Sequence, residues 1–194
     1  MWQMSATHSS AELSFSQLVF SDFVRYRPAT KPSWLSVLLR IPTNPGLLAT
    51  IILRAQQCLH RAGHERLAHA LRTPANILVG ADFAAGMTVG PGLMLAHPVG
   101  LTLGLGLTIG DNVSFAGGVT CAARHYEGSA DTEQEYATIG DGAILGAHAV
   151  LVGGVRIGTN AVVGANSVVL SDVADNAVVM GSPARQIGTR QASA

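Results

Sequence analysis

Between Ile77 and Val173 an aliphatic or aromatic side chain returns every sixth residue. Steps of six from Ile77 land on Phe83, Val89 and Leu95, and after a slip of two residues the count resumes at Leu103, Ile109 and Phe115. Beyond an interruption it runs through Ile139, Leu145, Leu151, Ile157, Val163 and Val169, and none of these places is polar. Glycine directly follows many of them (Gly90, Gly104, Gly110, Gly140, Gly158), and four residues after them stands a small or branched residue such as Val113, Ala143, Val155, Ala161 or Ser167. A period of six fits neither the 3.6-residue helix nor the alternating strand, so the repeat is itself the structural unit. The chain is therefore expected to wind as a solenoid of hexads, each a short strand and a turn. The aliphatic residue would point to the axis, and glycine would permit close backbone approach at the turns.

The rest of the chain divides around this stretch. Residues 1–74 read as a helical region, 75–188 as the solenoid and 189–194 as a tail. A short amphipathic helix is expected from Ala11 to Tyr26, and another from Trp34 to Arg40, ending before Pro42. Asn44 and Pro45 suit the cap and first position of a longer helix reaching Ala62, with Gly63 as its stop. A further helix over Glu65–Leu71 is expected to stop before Pro74.

Composition narrows the functions. Formal net charge is zero without a Lys/Arg cluster, which disfavours nucleic acid and anionic membrane as partners. Only 12% of residues are charged, so part of the surface is expected to be covered by other subunits. Cys58 and Cys121 lack metal-binding spacing and read as buried free thiols of a reducing cytosol. The most apolar patch, Leu47 to Leu53, is too short to span a bilayer, and a cytoplasmic protein is expected. His60 and His64 have the spacing of a metal pair on one helix face, but Gly63 separates them and no third ligand is near, so no metal is expected. The glycines at 100, 104, 106 and 110 are turn residues, because the hexad rhythm passes straight through where a dinucleotide fingerprint needs strand and helix. Polar residues break the rhythm at Asp82, at His97 and over about 121–138, which reads as a loop ejected from one coil, a usual place for substrate contacts.

The residues from Asn44 to Gly188 resemble the serine acetyltransferase branch of the hexapeptide-repeat acyltransferases. The most specific stretch begins at Asp82 and reaches His97 fifteen residues later, through Asp-Phe-Ala-Ala-Gly-Met-Thr-Val-Gly-Pro-Gly-Leu-Met-Leu-Ala-His. Gly181-Ser-Pro-Ala-Arg185 resembles that family's closing Gly-Val-Pro-Ala-Arg segment. The resemblance implies a mainly β fold, a left-handed parallel β-helix after an N-terminal α-helical region, and a homotrimer or a dimer of trimers. It implies acetyl-CoA as co-substrate with no permanently bound cofactor, His97 as general base and Asp82 as the carboxylate that orients it. Coenzyme A would lie along Gly146, Ala147, Gly164 and Ala165, with Arg185 at the phosphates.

Two departures bear on the acceptor. Ala96 stands where the serine enzymes have an aspartate, and Gln134-Glu-Tyr-Ala-Thr stands where they have Asp-Arg-His-Pro. Arg124, His125 and Tyr136 are therefore candidate acceptor contacts, together with Ala96. The resemblance then implies an O-acyltransferase with an altered acceptor site, taking a small alcohol other than serine, or serine itself. A second reading moves the base to His125, as in sugar and polysaccharide O-acetyltransferases of the same superfamily. A metal-binding hexapeptide protein of the γ-carbonic-anhydrase type, or a scaffold that binds no coenzyme A, completes the alternatives.

Overall fold

The computed structural model describes residues 13–123 and 136–191. Five α-helices and one 3-10 turn, Ile41–Thr43, come first. Helix α1, Phe15–Tyr26, opens on a capping box in which the Ser14 hydroxyl and the Gln17 side chain satisfy each other's backbone N–H groups. Helix α2 covers Trp34–Leu38 behind Ser33, and α3 covers Pro45–Arg61 behind Asn44, whose side chain accepts from the Leu47 N–H. Pro45 costs α3 nothing because the first helical N–H has no intrahelical partner. The chain leaves α3 through Gly63 at φ +80 and forms α4, Glu65–Ala70.

The next element was not anticipated. Helix α5, Arg72–Val79, contains Pro74 at its third position, where proline's missing N–H is again harmless. Proline here supports a first turn rather than ending a helix. Ile77, expected as the first inward residue of the solenoid, therefore lies on α5 and is 76% exposed. Gly80, left-handed at φ +66, ends α5, and the first inward coil residue is Phe83.

From there the chain winds as a parallel β-helix with three faces. The first face stacks strands Asp82–Phe83, Thr102–Leu103, Thr120–Ala122, Val150–Val152 and Val168–Val169. The second stacks Thr88–Val89, Thr108–Ile109, Thr138–Ile139 and Arg156–Ile157. The third stacks Met94–Leu95, Ser114–Phe115, Ile144–Leu145, Val162–Val163 and Ala177–Gly181, and ends on an antiparallel strand, Ala184–Thr189. Register follows the hexads. Thr102 pairs with Thr120 and Val150 with Val168, each one coil of three hexads apart. Asp82 instead pairs with Thr102, two residues further, which places the slip after Leu95 inside one turn. Pairing resumes in register on either side of 124–135, Thr108 with Thr138 and Thr120 with Val150.

The core is the set of columns that the periodicity predicts. Phe83, Leu103, Cys121, Leu151 and Val169 fill the first face, Val89, Ile109, Ile139 and Ile157 the second, and Leu95, Phe115, Leu145, Val163 and Val179 the third, all buried. Cys121, which the break in the rhythm assigns to the ejected loop, instead keeps the count six after Phe115 and behaves as a small hydrophobe. The residues four places on, Val113, Ala143, Val155, Ala161 and Ser167, are buried at the corners.

A polar clamp seats the helices on the first coils. Arg54 of α3 is completely buried; its guanidinium donates to both carboxylate oxygens of Asp22 on α1, to the Gln57 side chain and to the carbonyls of Val89 and Gly90. Asp22 also accepts from the Leu93 N–H. Arg25 donates to the carbonyls of Gly92 and Asn112, and the Tyr26 hydroxyl bridges the N–H and carbonyl of Leu95. No helix among the described residues is long and apolar enough to cross a membrane.

Candidate active site

One edge of the prism, where the third face turns into the first, collects most of the residues singled out in the sequence. In successive coils this edge consists of Ala96–Gly100, Ala116–Gly118, Gly146–His148 and Gly164–Asn166. Backbone hydrogen bonds stack it: the N–H of Gly118 donates to Val99, that of His148 to Gly117, and that of Asn166 to Ala147. His97, Ala96, Gly146, Ala147, Gly164 and Ala165 thus share a line running along the molecule.

Small residues are required there by the coil spacing. A Cβ on Gly117 would lie 2.4 Å from the His97 carbonyl oxygen, and one on Gly146 would lie 2.5 Å from the Ala165 nitrogen. Gly118 is covered by the His148 ring. The result is an edge of small residues, crossed at Gly118 by the His148 ring, with the His97 imidazole at one end. His97 is exposed and holds a left-handed backbone at φ +55, unusual for a residue with a side chain and typical of tight corners.

Asp82 stands at the start of the first face, immediately past the same edge. The N–H of Asp82 donates to the Leu101 carbonyl and that of Gly100 to the Gly80 carbonyl, so the His97 turn lies alongside Gly80–Asp82. A regular stack of three hexads would put His97 over Val79; the two-residue slip and α5 replace that arrangement. The Asp82 carboxylate is gripped on both oxygens by the Arg72 guanidinium. Hydrogen bonding from Arg72 holds Asp82 below the usual carboxylate range, against a smaller opposing effect of burial, with the Asn76 side chain assisting. Arg72 was not found from the sequence, because only the length of α5 and the turn at Gly80 bring it back to Asp82.

The remaining candidates lie elsewhere. Tyr136 belongs to another edge, between the first and second faces, where its ring covers Gly104 and Gly106 so closely that a Cβ on Gly104 would overlap it. Within one chain it is not a neighbour of the His97 turn. Arg185 is exposed on the last strand opposite Met180, and Met180 packs over Gly164, so Arg185 stands near the far end of this edge. It also borders a cleft of about 410 Å³ with Val169, Asp172 and Val179. Arg124 and His125 fall outside the described residues. Among the described residues no group of three or more His, Cys, Asp or Glu is arranged to hold a metal ion. The His60 ring lies against Gly86, whereas His64 precedes α4 without a side-chain capping bond and the His69 Nδ1 meets the Glu65 carbonyl.

Comparison with known proteins connects this edge to a chemistry. Residues 136–171 match the bacterial transferase hexapeptide (six repeats) family. The serine acetyltransferase of Helicobacter pylori strain 26695 is 31% identical over 161 residues, which cover 82% of this chain and 89% of that protein. The chain belongs to the serine acetyltransferase family. Serine acetyltransferase 4 of Arabidopsis thaliana is 36% identical over 157 residues, and the match spans 81% of this chain but only 43% of the plant protein. Among solved serine acetyltransferases, the Brucella abortus enzyme in complex with coenzyme A superposes with a TM-score of 0.76 at 27% identity, covering 92% of this chain and 68% of that one. Serine acetyltransferases are acyltransferases with acetyl-CoA as co-substrate, and the exposed imidazole beside an edge of mostly glycine and alanine suits that chemistry: a base for a hydroxyl, and small residues against which a thin thioester can lie.

Proposed function

We propose that this chain transfers the acetyl group of acetyl-CoA to the hydroxyl of serine. His97 takes the proton of the hydroxyl as its oxygen attacks the thioester carbonyl. The carbon–sulfur bond then breaks, and the imidazolium returns the proton to the departing thiolate, so that O-acetylserine and coenzyme A leave and the enzyme is unchanged. Imidazole suits the task because it titrates near neutral pH, whereas an alcohol is a poor nucleophile there. Asp82 orients the ring and supports its protonated form. The pantetheine arm lies along Gly146, Ala147, Gly164 and Ala165, with Arg185 towards the phosphates. The coils wind left-handed, and three chains pack side by side so that this strip lines a seam between neighbours.

The observation that carries the reading is the exposed His97 at the head of an edge of mostly small residues, in a chain of the serine acetyltransferase family. Release of free thiol from acetyl-CoA, measured with serine, homoserine and sugars as acceptors, tests it. Serine is expected to give the largest kcat/KM, and His97→Ala to lower kcat by about 10²- to 10⁴-fold. A His97→Ala enzyme of unchanged rate would refute the assignment, and loss on His125→Ala alone would move the base to the 124–135 segment.

A further inference from the structure

We propose that Arg72 is a positioning residue for the transfer reaction: by holding Asp82 on both carboxylate oxygens, it fixes the plane in which that carboxylate can receive the His97 ring. The inference rests on the reading of Asp82 and His97 given above.

Three observations lead to it. First, the grip is a two-point one, Nε to one oxygen and a terminal nitrogen to the other, which fixes orientation as a single contact does not. Second, the pair is too exposed to be explained by stability. The Arg72 side chain is 52% exposed and that of Asp82 27%, and ion pairs in such places contribute little to folding. Third, the arrangement is built by the local chain. Arg72 and Asn76 lie one turn apart on α5, the Asn76 side chain donates to the Arg72 carbonyl, and both side chains reach Asp82. Gly80 then turns the chain so that the strand carrying Asp82 lies against the His97 turn.

A carboxylate accepts about four hydrogen bonds, and the fork on Arg72 uses one direction on each oxygen. Asn76 takes one more, and a further direction remains for an imidazole N–H. Arg72 itself touches no reacting atom; it acts through Asp82.

The test is a double-mutant cycle in the full chain, with kcat and KM for serine and acetyl-CoA. Arg72→Ala is expected to lower kcat by about 10- to 100-fold, the scale of a misplaced catalytic group, with both KM values within about twofold. Arg72→Lys, which keeps the charge but loses the fork, should lie between. In an Asp82→Asn background, Arg72→Ala should cost nothing further, because its route of action is gone. The inference is overturned if Arg72→Ala leaves kcat unchanged or raises it, if its loss multiplies with that of Asp82→Asn, or if its melting temperature falls enough to account for the loss. A fully active Asp82→Asn enzyme is a separate outcome, which refutes the role of Asp82 itself and the present inference with it.

Discussion

Cys121 occupies a place in the inner column between Leu103 and Leu151. Burial pushes its thiol up to about 12, from an ordinary value of 9.0. The sign follows from linkage: the folded state favours the neutral thiol, so this contribution is intact below about pH 9 and is lost as pH rises towards 12. Stability should fall by about 1.4 kcal/mol per pH unit in that window, and Cys121→Val should flatten the fall in urea titrations at pH 8 and pH 10. Alkylation of the native protein at pH 8, followed by digestion and mass spectrometry, should leave Cys121 unmodified; labelling without unfolding would contradict its placement. At this scale the sequence was informative wherever one residue type has one use. An imidazole amid glycine and aliphatics marked the exposed corner at His97, and spacing marked the inward columns. Ile77 misled because it extends the count of six by chance, and the partner of Asp82 was hidden because an arginine ten residues upstream has no local signature.

Among the elements, the joint between helices and coils is the least legible in the sequence and the most exposed to mutation. Arg54 and Asp22 are both fully buried, and the chain gives no periodic hint that a charged residue on α1 must meet one on α3. Burial pushes Asp22 up while the Arg54 guanidinium and the Leu93 N–H pull it down. Removing one partner leaves the other charge buried and unpaired, so Asp22→Ala should destabilise the protein by about 3–5 kcal/mol in urea unfolding. The double variant Asp22→Leu with Arg54→Met should recover much of that loss, since no lone charge remains. A single variant within 1 kcal/mol of the parent, roughly the value of an exposed pair, would mean that water reaches the joint. Helix α5 was likewise unreadable, because Pro74 marks equally well a helix end and a helix beginning.

For the molecule as a whole, the count of six predicts a solenoid of short strands and its inward column, since each coil repeats the same constraint, whereas the parallel order came from the family resemblance and the three faces from the structure. What it did not supply is how the winding begins and ends, because the ends break the repeat. At the start the break is the helical region and its clamp. At the finish it is strand Ala184–Thr189, which runs opposite to its neighbour, Ala177–Gly181. Deleting residues 184–194 should leave the strand at Val179 with an open edge, and sedimentation should then detect concentration-dependent larger species absent from the full chain. An unchanged sedimentation profile would show that another part of the last coil does the blocking.

That reversed strand has a further meaning. A screw built from identical threads carries no instruction about its own length, and every added thread offers the next one the same surface. By turning the backbone about, the last strand presents a pattern of donors and acceptors on which no further thread of the same pitch can sit, and so the fold counts its own turns.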